Sequence, residues 1–142
     1  MDFVLDCSVT MSWFFEDEDT PYTTAIRRSL GGGSQAYVPA IWLLEVGNVF
    51  IVSERRKRLS PEKTSRFLTL LKLLPIQIED TPSFTLLGDI LKLTRDYRLS
   101  AYDAVYLELA LRKGIPMVSL DHDLRKAAQK AGVVLPTTKD FP

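Results

Sequence analysis

The sequence predicts an α/β fold of three layers, α/β/α, around a short parallel sheet of four to five strands with about seven helices. Two observations predict it. Brief apolar runs alternate along the whole chain with longer segments of helical periodicity, and strands that alternate with helices imply a parallel sheet covered on both faces. Several helical segments also begin on Ser or Thr caps or stop at glycines, the punctuation that real helices carry.

Phe3 to Leu5 is an apolar run that ends in Asp6, as a buried strand opening into a loop would. Ser8 to Phe15 reads as a first helix, followed by an acidic turn from Glu16 to Asp19. Thr20 and Pro21 supply a cap and a proline at the first helical position, and Gly31 to Gly33 stop that second helix. Ala36 to Val38 is a strand, Ile41 to Arg58 a long helix, and Ser60-Pro61 opens the next helix with the same signature. Ile76 to Ile78 reads as a third strand, and two helices follow from Ser83 to Tyr97 and from Ser100 to Lys113. Met117 to Ser119 is a fourth strand, Leu124 to Ala131 a last helix, and Val133 to Leu135 a possible fifth strand.

At 142 residues the chain is expected to be a single domain, residues 1–142. Its 46% hydrophobic and 25% charged content is that of an ordinary soluble protein. The N-terminal stretch has neither a basic n-region nor a long apolar run, and a cytoplasmic location without a membrane span is expected. The single cysteine, Cys7, rules out a disulfide within the chain and reads as a small apolar packing residue. Lys plus Arg and Asp plus Glu number 18 each. Composition therefore gives no support to a nucleic-acid substrate, whose binding usually draws on an excess of positive charge.

The acids are more informative. Ligand sites in such sheets lie beyond the carboxyl ends of the strands, at a switch in strand order. Asp6 follows the first strand and Asp121 the fourth, with Asp123 two residues on. Capping of the next helix is the plain alternative for Asp121 or Asp123. Glu45 sits among Ile41, Trp42, Leu43, Leu44, Val46 and Val49, a helix apolar all round and so expected to be buried. A buried carboxylate must shift its pKa, pair with a cation or hold a metal. Asn48 shares its face one turn on, a surface stripe of Glu45 and Asn48 being the plain alternative, and Gly47 is read as allowing a close backbone approach. Ser100 and Asp103 fit a variant capping box, which is compatible with Asp103 also facing a site at that helix end. Four carboxylates without a His or Cys cluster suit a hard cation, Mg²⁺ or Mn²⁺. His122, the one histidine, reads as a solvated loop residue.

The ordered set Val4-Leu-Asp6-Cys-Ser8, Leu44-Glu45-Val-Gly-Asn48, Ser100-Ala-Tyr-Asp103-Ala and Ser119-Leu-Asp121-His-Asp123 resembles the PIN domain, and within it the VapC-type toxins. The resemblance covers essentially the whole chain. It implies a PIN-like fold and an acidic quartet of Asp6, Glu45, Asp103 and Asp121 that binds Mg²⁺ or Mn²⁺, with Asp123 as a less uniform fifth acid. It also implies supporting roles for Ser8 and Asn48, and for Ser119 where the family often has Thr. Its functional implication is an endoribonuclease that leaves a 3′-hydroxyl and a 5′-phosphate, acting as a homodimer restrained by a small VapB-like antitoxin.

Arg55, Arg56, Lys57 and Arg58 exceed what a helix C-terminus needs and are candidates for RNA phosphate contact. Arg27, Arg28, Arg112 and Lys113 read as helix-end complements. Trp13, Phe14, Phe15, Trp42 and Phe50 read as core or interface residues rather than base-stacking platforms. Two other functions compete. A receiver or phosphatase-like phosphotransfer domain also places an Asp after its first strand, but Leu5, Cys7 and Ser8 stand where those patterns want further acids. A catalytically silent module that only binds protein is the second, and the intact quartet argues against it.

Overall fold

A computed structural model describes residues 1–79 and 83–142. Four strands, β1 (Phe3–Leu5), β2 (Ala36–Pro39), β3 (Ile76–Glu79) and β4 (Met117–Val118), form one sheet in the order β3-β2-β1-β4. Every pairing is parallel, with Phe3 opposite Ala36, Val4 opposite Met117 and Ala36 opposite Ile76. Phe3, Val4 and Leu5 are all fully buried. Successive strand residues face opposite ways, so both faces of β1 are covered and the three-layer expectation holds.

Among the described residues seven helices surround the sheet: α1 (Cys7–Ser12), α2 (Pro21–Gly31), α3 (Ile41–Arg55), α4 (Pro61–Lys72), α5 (Phe84–Tyr97), α6 (Ala101–Lys113) and α7 (His122–Lys130). The steps from β1 to β2 and from β2 to β3 move one way, and the step from β3 to β4 moves back past β1. Right-handed crossovers then put α1 to α4 on one face and α5 with α6 on the other. The direction of winding switches between β1 and β4, which opens a crevice at their carboxyl ends.

Caps act where the sequence places them. Thr20 accepts the Thr23 amide, Ser60 that of Lys63, Ser83 that of Leu86 and Ser100 that of Asp103. Several boundaries differ from expectation. The first helix stops at Ser12, three residues short of Phe15. The long third helix ends at Arg55, and Lys57 takes a positive φ of 59°, so Arg56, Lys57 and Arg58 lie beyond it. The last helix starts at His122, which is exposed on its first turn rather than in a loop. Val133 to Leu135 forms no strand, since its ladder bonding is a single bond from the Met117 amide to the Val134 carbonyl.

The third helix also departs from the prediction that it is buried all round. Trp42, Val46 and Phe50 are buried, but Leu43 (51% exposed), Leu44 (70%) and Ile51 (41%) face outward. An apolar helix face left open is a feature of surfaces that meet another protein. Gly47 lies on this exposed side, and a Cβ added there would meet nothing within 4 Å, so no close backbone approach explains it. The aromatics follow the core reading: Trp13, Phe15, Trp42 and Phe50 are buried, and Phe14 packs half-buried on Phe67 and Phe50. Among the described residues, no helix is long and apolar enough to cross a membrane.

Candidate active site

Asp6 leaves the end of β1 and serves as the residue before α1. It is 5% exposed, and its Oδ2 accepts two hydroxyls, from Ser8 at 2.6 Å and from Ser119 at 2.7 Å. Ser8 in turn accepts the Leu120 amide and Ser119 accepts the Asp121 amide. The β4 exit is therefore laced to the β1 exit through two serines, and the Asp6 side chain is locked between them. A carboxylate held in this way loses little further freedom when it takes up a ligand.

Three more elements bring acids to the same place. Asp6, Glu45 from α3, Asp103 from the first turn of α6 and Asp121 from the start of α7 line one open cavity of about 680 Å³. Ser8, Asn48 and Cys7 line it too. The four acids picked out in the sequence thus line one cavity from four separate elements. Asp121 does double duty, because its Oδ1 also accepts the Leu124 amide and caps α7. Asp103 departs from the full capping box: its amide is held by Ser100, while its carboxylate borders the cavity. Asp123 does not line this cavity but stands in the first turn of α7 beside it.

The electrostatics are those of crowded negative charge. Burial pushes the Asp6 carboxyl above its ordinary range, against the pull of the Ser8 and Ser119 hydroxyls, and Asp121 adds repulsion. Glu45 is raised by burial as well, opposed by the Tyr106 hydroxyl and reinforced by Asp6 and Asp103. Asp103 is raised by burial, then by Asp121 and Asp6. The Cys7 thiol is pushed up to about 12 by burial and by Glu45 and Asp6, so it stays protonated. Carboxylate oxygens are consequently the available donors, a hard-cation set. Among the described residues, no group of three or more His, Cys, Asp or Glu side chains is gathered closely enough to hold a metal ion.

One functional candidate escaped the sequence reading. Tyr106 is fully buried, and its hydroxyl donates to Glu45 Oε1 at 2.5 Å. The signal was present, because Tyr106 lies three residues after Asp103 and shares its helical face. A neighbouring support is longer-ranged: the Trp42 indole donates to Thr10, whose hydroxyl donates to the Asp6 carbonyl. The basic run at the end of α3 is less free than expected. Arg58 pairs with Asp17 at 3.2 Å and Glu18 at 3.8 Å and lies over the Phe15 ring. Glu18 itself lines the acidic cavity, so the acidic turn does border it. Arg55, Arg56 and Lys57 are exposed and do not line the cavity.

The sequence model of a family described as the PIN domain matches residues 3–130. Comparison with curated proteins gives no match. Solved structures share the fold. FitAcB from Neisseria gonorrhoeae is 17% identical with a TM-score of 0.65, covering 98% of this chain and 99% of that one. PAE2754 from Pyrobaculum aerophilum is 14% identical with a TM-score of 0.65, covering 94% and 88%. VapBC2 from Rickettsia felis, bound to a DNA fragment from their promoter, is 11% identical with a TM-score of 0.64, covering 96% and 98%.

Proposed function

Because the chain belongs to the PIN domain family, we propose that it is a Mg²⁺- or Mn²⁺-dependent endoribonuclease, the toxin subunit of a VapBC-type pair. The single observation that carries this reading is the convergence of Asp6, Glu45, Asp103 and Asp121 on one cavity at the switch point of the sheet. Carboxylate oxygens are the donor chemistry such an ion takes, and a divalent cation would relieve the burial and mutual repulsion that raise three of these carboxyls.

In this reading Asp6, Glu45, Asp103 and Asp121 hold the ion, with Asp123 as an outer acid. A bound divalent ion lowers the pKa of water and takes up charge on the phosphate oxygens. The chain supplies position. Ser8 and Ser119 fix Asp6, Tyr106 fixes Glu45, and Asn48 offers an amide on the cavity wall for the substrate. Water adds to phosphorus, the P–O3′ bond breaks, and O3′ takes a proton, leaving a 3′-hydroxyl and a 5′-phosphate. Arg55, Arg56, Lys57 and the partly neutralised Arg58 are the expected long-range attraction for RNA.

The outward apolar side chains of α3, Leu43, Leu44 and Ile51, are the surface on which this reading seats its protein partners, a second copy of the chain and a VapB-like antitoxin. Structural likeness to VapBC2 supports an antitoxin as a partner, and the exposure of these side chains is the reason for seating it on α3. The phosphotransfer alternative has Cys7 and Ser8 where its acids are needed, and Cys7 is a buried neutral thiol. The reading further takes residues 1–142 as one domain working in the cytoplasm.

The test is direct. Purified protein is incubated with cellular RNA and Mg²⁺ or Mn²⁺, and the new 5′ ends are sequenced. A limited set of 5′-phosphate ends, lost on chelation with EDTA and restored by the ion, is expected. RNA left intact with both ions would overturn the reading.

A further inference from the structure

We propose that a second cavity, between the end of α5 and the face of α7, binds a backbone phosphate of the RNA strand that flanks the scissile bond. The inference rests on the ribonuclease reading above and names where that substrate is gripped. The cavity is about 460 Å³ and is lined chiefly by Asp96, Tyr97, Arg98, Asp123, Lys126 and Lys130.

Position is the first argument. Asp123, which lines this cavity, belongs to the first turn of α7, two residues after Asp121 of the acidic cavity. The two hollows therefore adjoin. A polyanion drawn across a wall of four carboxylates is repelled everywhere except at the ion, and needs attraction beside it.

Charge is the second. Asp123, Lys126 and Lys130 fall at i, i+3 and i+7 on α7, which places them on one face. With Arg98 they give three cations against the two carboxylates Asp96 and Asp123. Arg58, Arg112 and Lys113 are taken up in ion pairs, whereas among the described residues Arg98, Lys126 and Lys130 form none. These cations are exposed and available to a phosphate.

Backbone conformation is the third. Arg98 ends α5 in the left-handed region, φ 54° and ψ 45°, where glycine or asparagine is the usual occupant. An arginine there is costly for the helix end and places its guanidinium at the cavity. Tyr97 adds an aromatic surface to the lining, of the kind on which a base can rest.

The variants suit a clean test, because Arg98→Gly gives the left-handed position its preferred residue and Lys126→Ala with Lys130→Ala favours helix. Binding of a short fluorescein-labelled single-stranded RNA of mixed sequence is followed by anisotropy over a salt series, in an Asp6→Asn background that does not cut it. The triple variant is expected to raise Kd at least about tenfold and to flatten the slope of log Kd against log salt by about 0.7 for each phosphate no longer neutralised. A charge-matched control removes Arg27, Arg28 and Lys139, none of which lines either cavity, and is expected to keep the parent slope. Parent-like Kd and slope in the triple variant, or an equal loss in the control, would overturn the subsite. If wild-type protein cuts RNA while the triple variant binds unchanged, only the subsite fails. If the Asp6→Asn parent does not bind RNA even at low salt, the subsite and the reading beneath it fail together.

Discussion

Asp6→Asn lowers RNA cleavage by on the order of a thousandfold and leaves the fold standing. The side chain is nearly fully buried, and Ser8 and Ser119 both donate to its Oδ2. Asparagine keeps the shape and a carbonyl oxygen for those hydroxyls, but it carries no charge to hold a cation. Stability moves the other way. Burial and Asp121 hold the Asp6 carboxyl above its usual range. For a carboxyl raised in the folded state, the stability it lends is complete below its unfolded pKa and is lost as pH rises through the folded value. In EDTA the wild type therefore becomes the weaker fold as pH rises and Asp6 ionises. Asp6→Asn is expected to melt at a higher temperature there, with the gap closing in mild acid. Initial rates and melting curves on the same preparations check both halves. Undiminished cleavage would remove Asp6 from the active site.

The second large effect is at Tyr106. Its hydroxyl joins two helices that each bring an acid, since Tyr106 is on α6 with Asp103 and donates to Glu45 on α3. Tyr106→Phe keeps the ring that fills the core and removes only the bond that aims Glu45. Loss of a group that orients a metal ligand typically weakens affinity about 10–100-fold, and Mn²⁺ binding by calorimetry is expected to weaken in that range. Glu45→Gln should weaken it comparably, and the double variant should lose little more, because both changes remove one unit. Tyr106→Phe binding Mn²⁺ as tightly as wild type would reduce the tyrosine to a core residue.

Local chemistry was the most legible part of the chain. An apolar run ending in Asp6, and Ser60, Ser83 and Ser100 each standing before a helix, act as read because strand burial and capping depend on a few neighbouring residues. Helix ends were harder. Arg55 to Arg58 gives no stop signal, and the chain turns at Lys57 with Arg58 drawn to Asp17 and Glu18, about forty residues away in sequence. The apolar girth of α3 promised burial, yet Leu43, Leu44 and Ile51 stand outside, and periodicity alone cannot tell a buried apolar face from an exposed one. Val133 to Leu135 has a strand's composition but makes one ladder bond. The four acids were recognisable from their order, whereas the bond from Tyr106 to Glu45 spans 61 residues and needs the fold.

Calorimetric titration of Mn²⁺ into EDTA-stripped protein tests the central claim most directly. Wild type is expected to take up the ion near neutral pH and to bind it more weakly as pH falls, since Asp6, Glu45 and Asp103 hold their protons above the ordinary carboxylate range and must release them to ligate. Asp103→Asn, with its fold intact, is expected to lose most of that uptake. No binding by wild type, or equal binding by Asp103→Asn, would contradict a divalent-ion site built from these carboxylates.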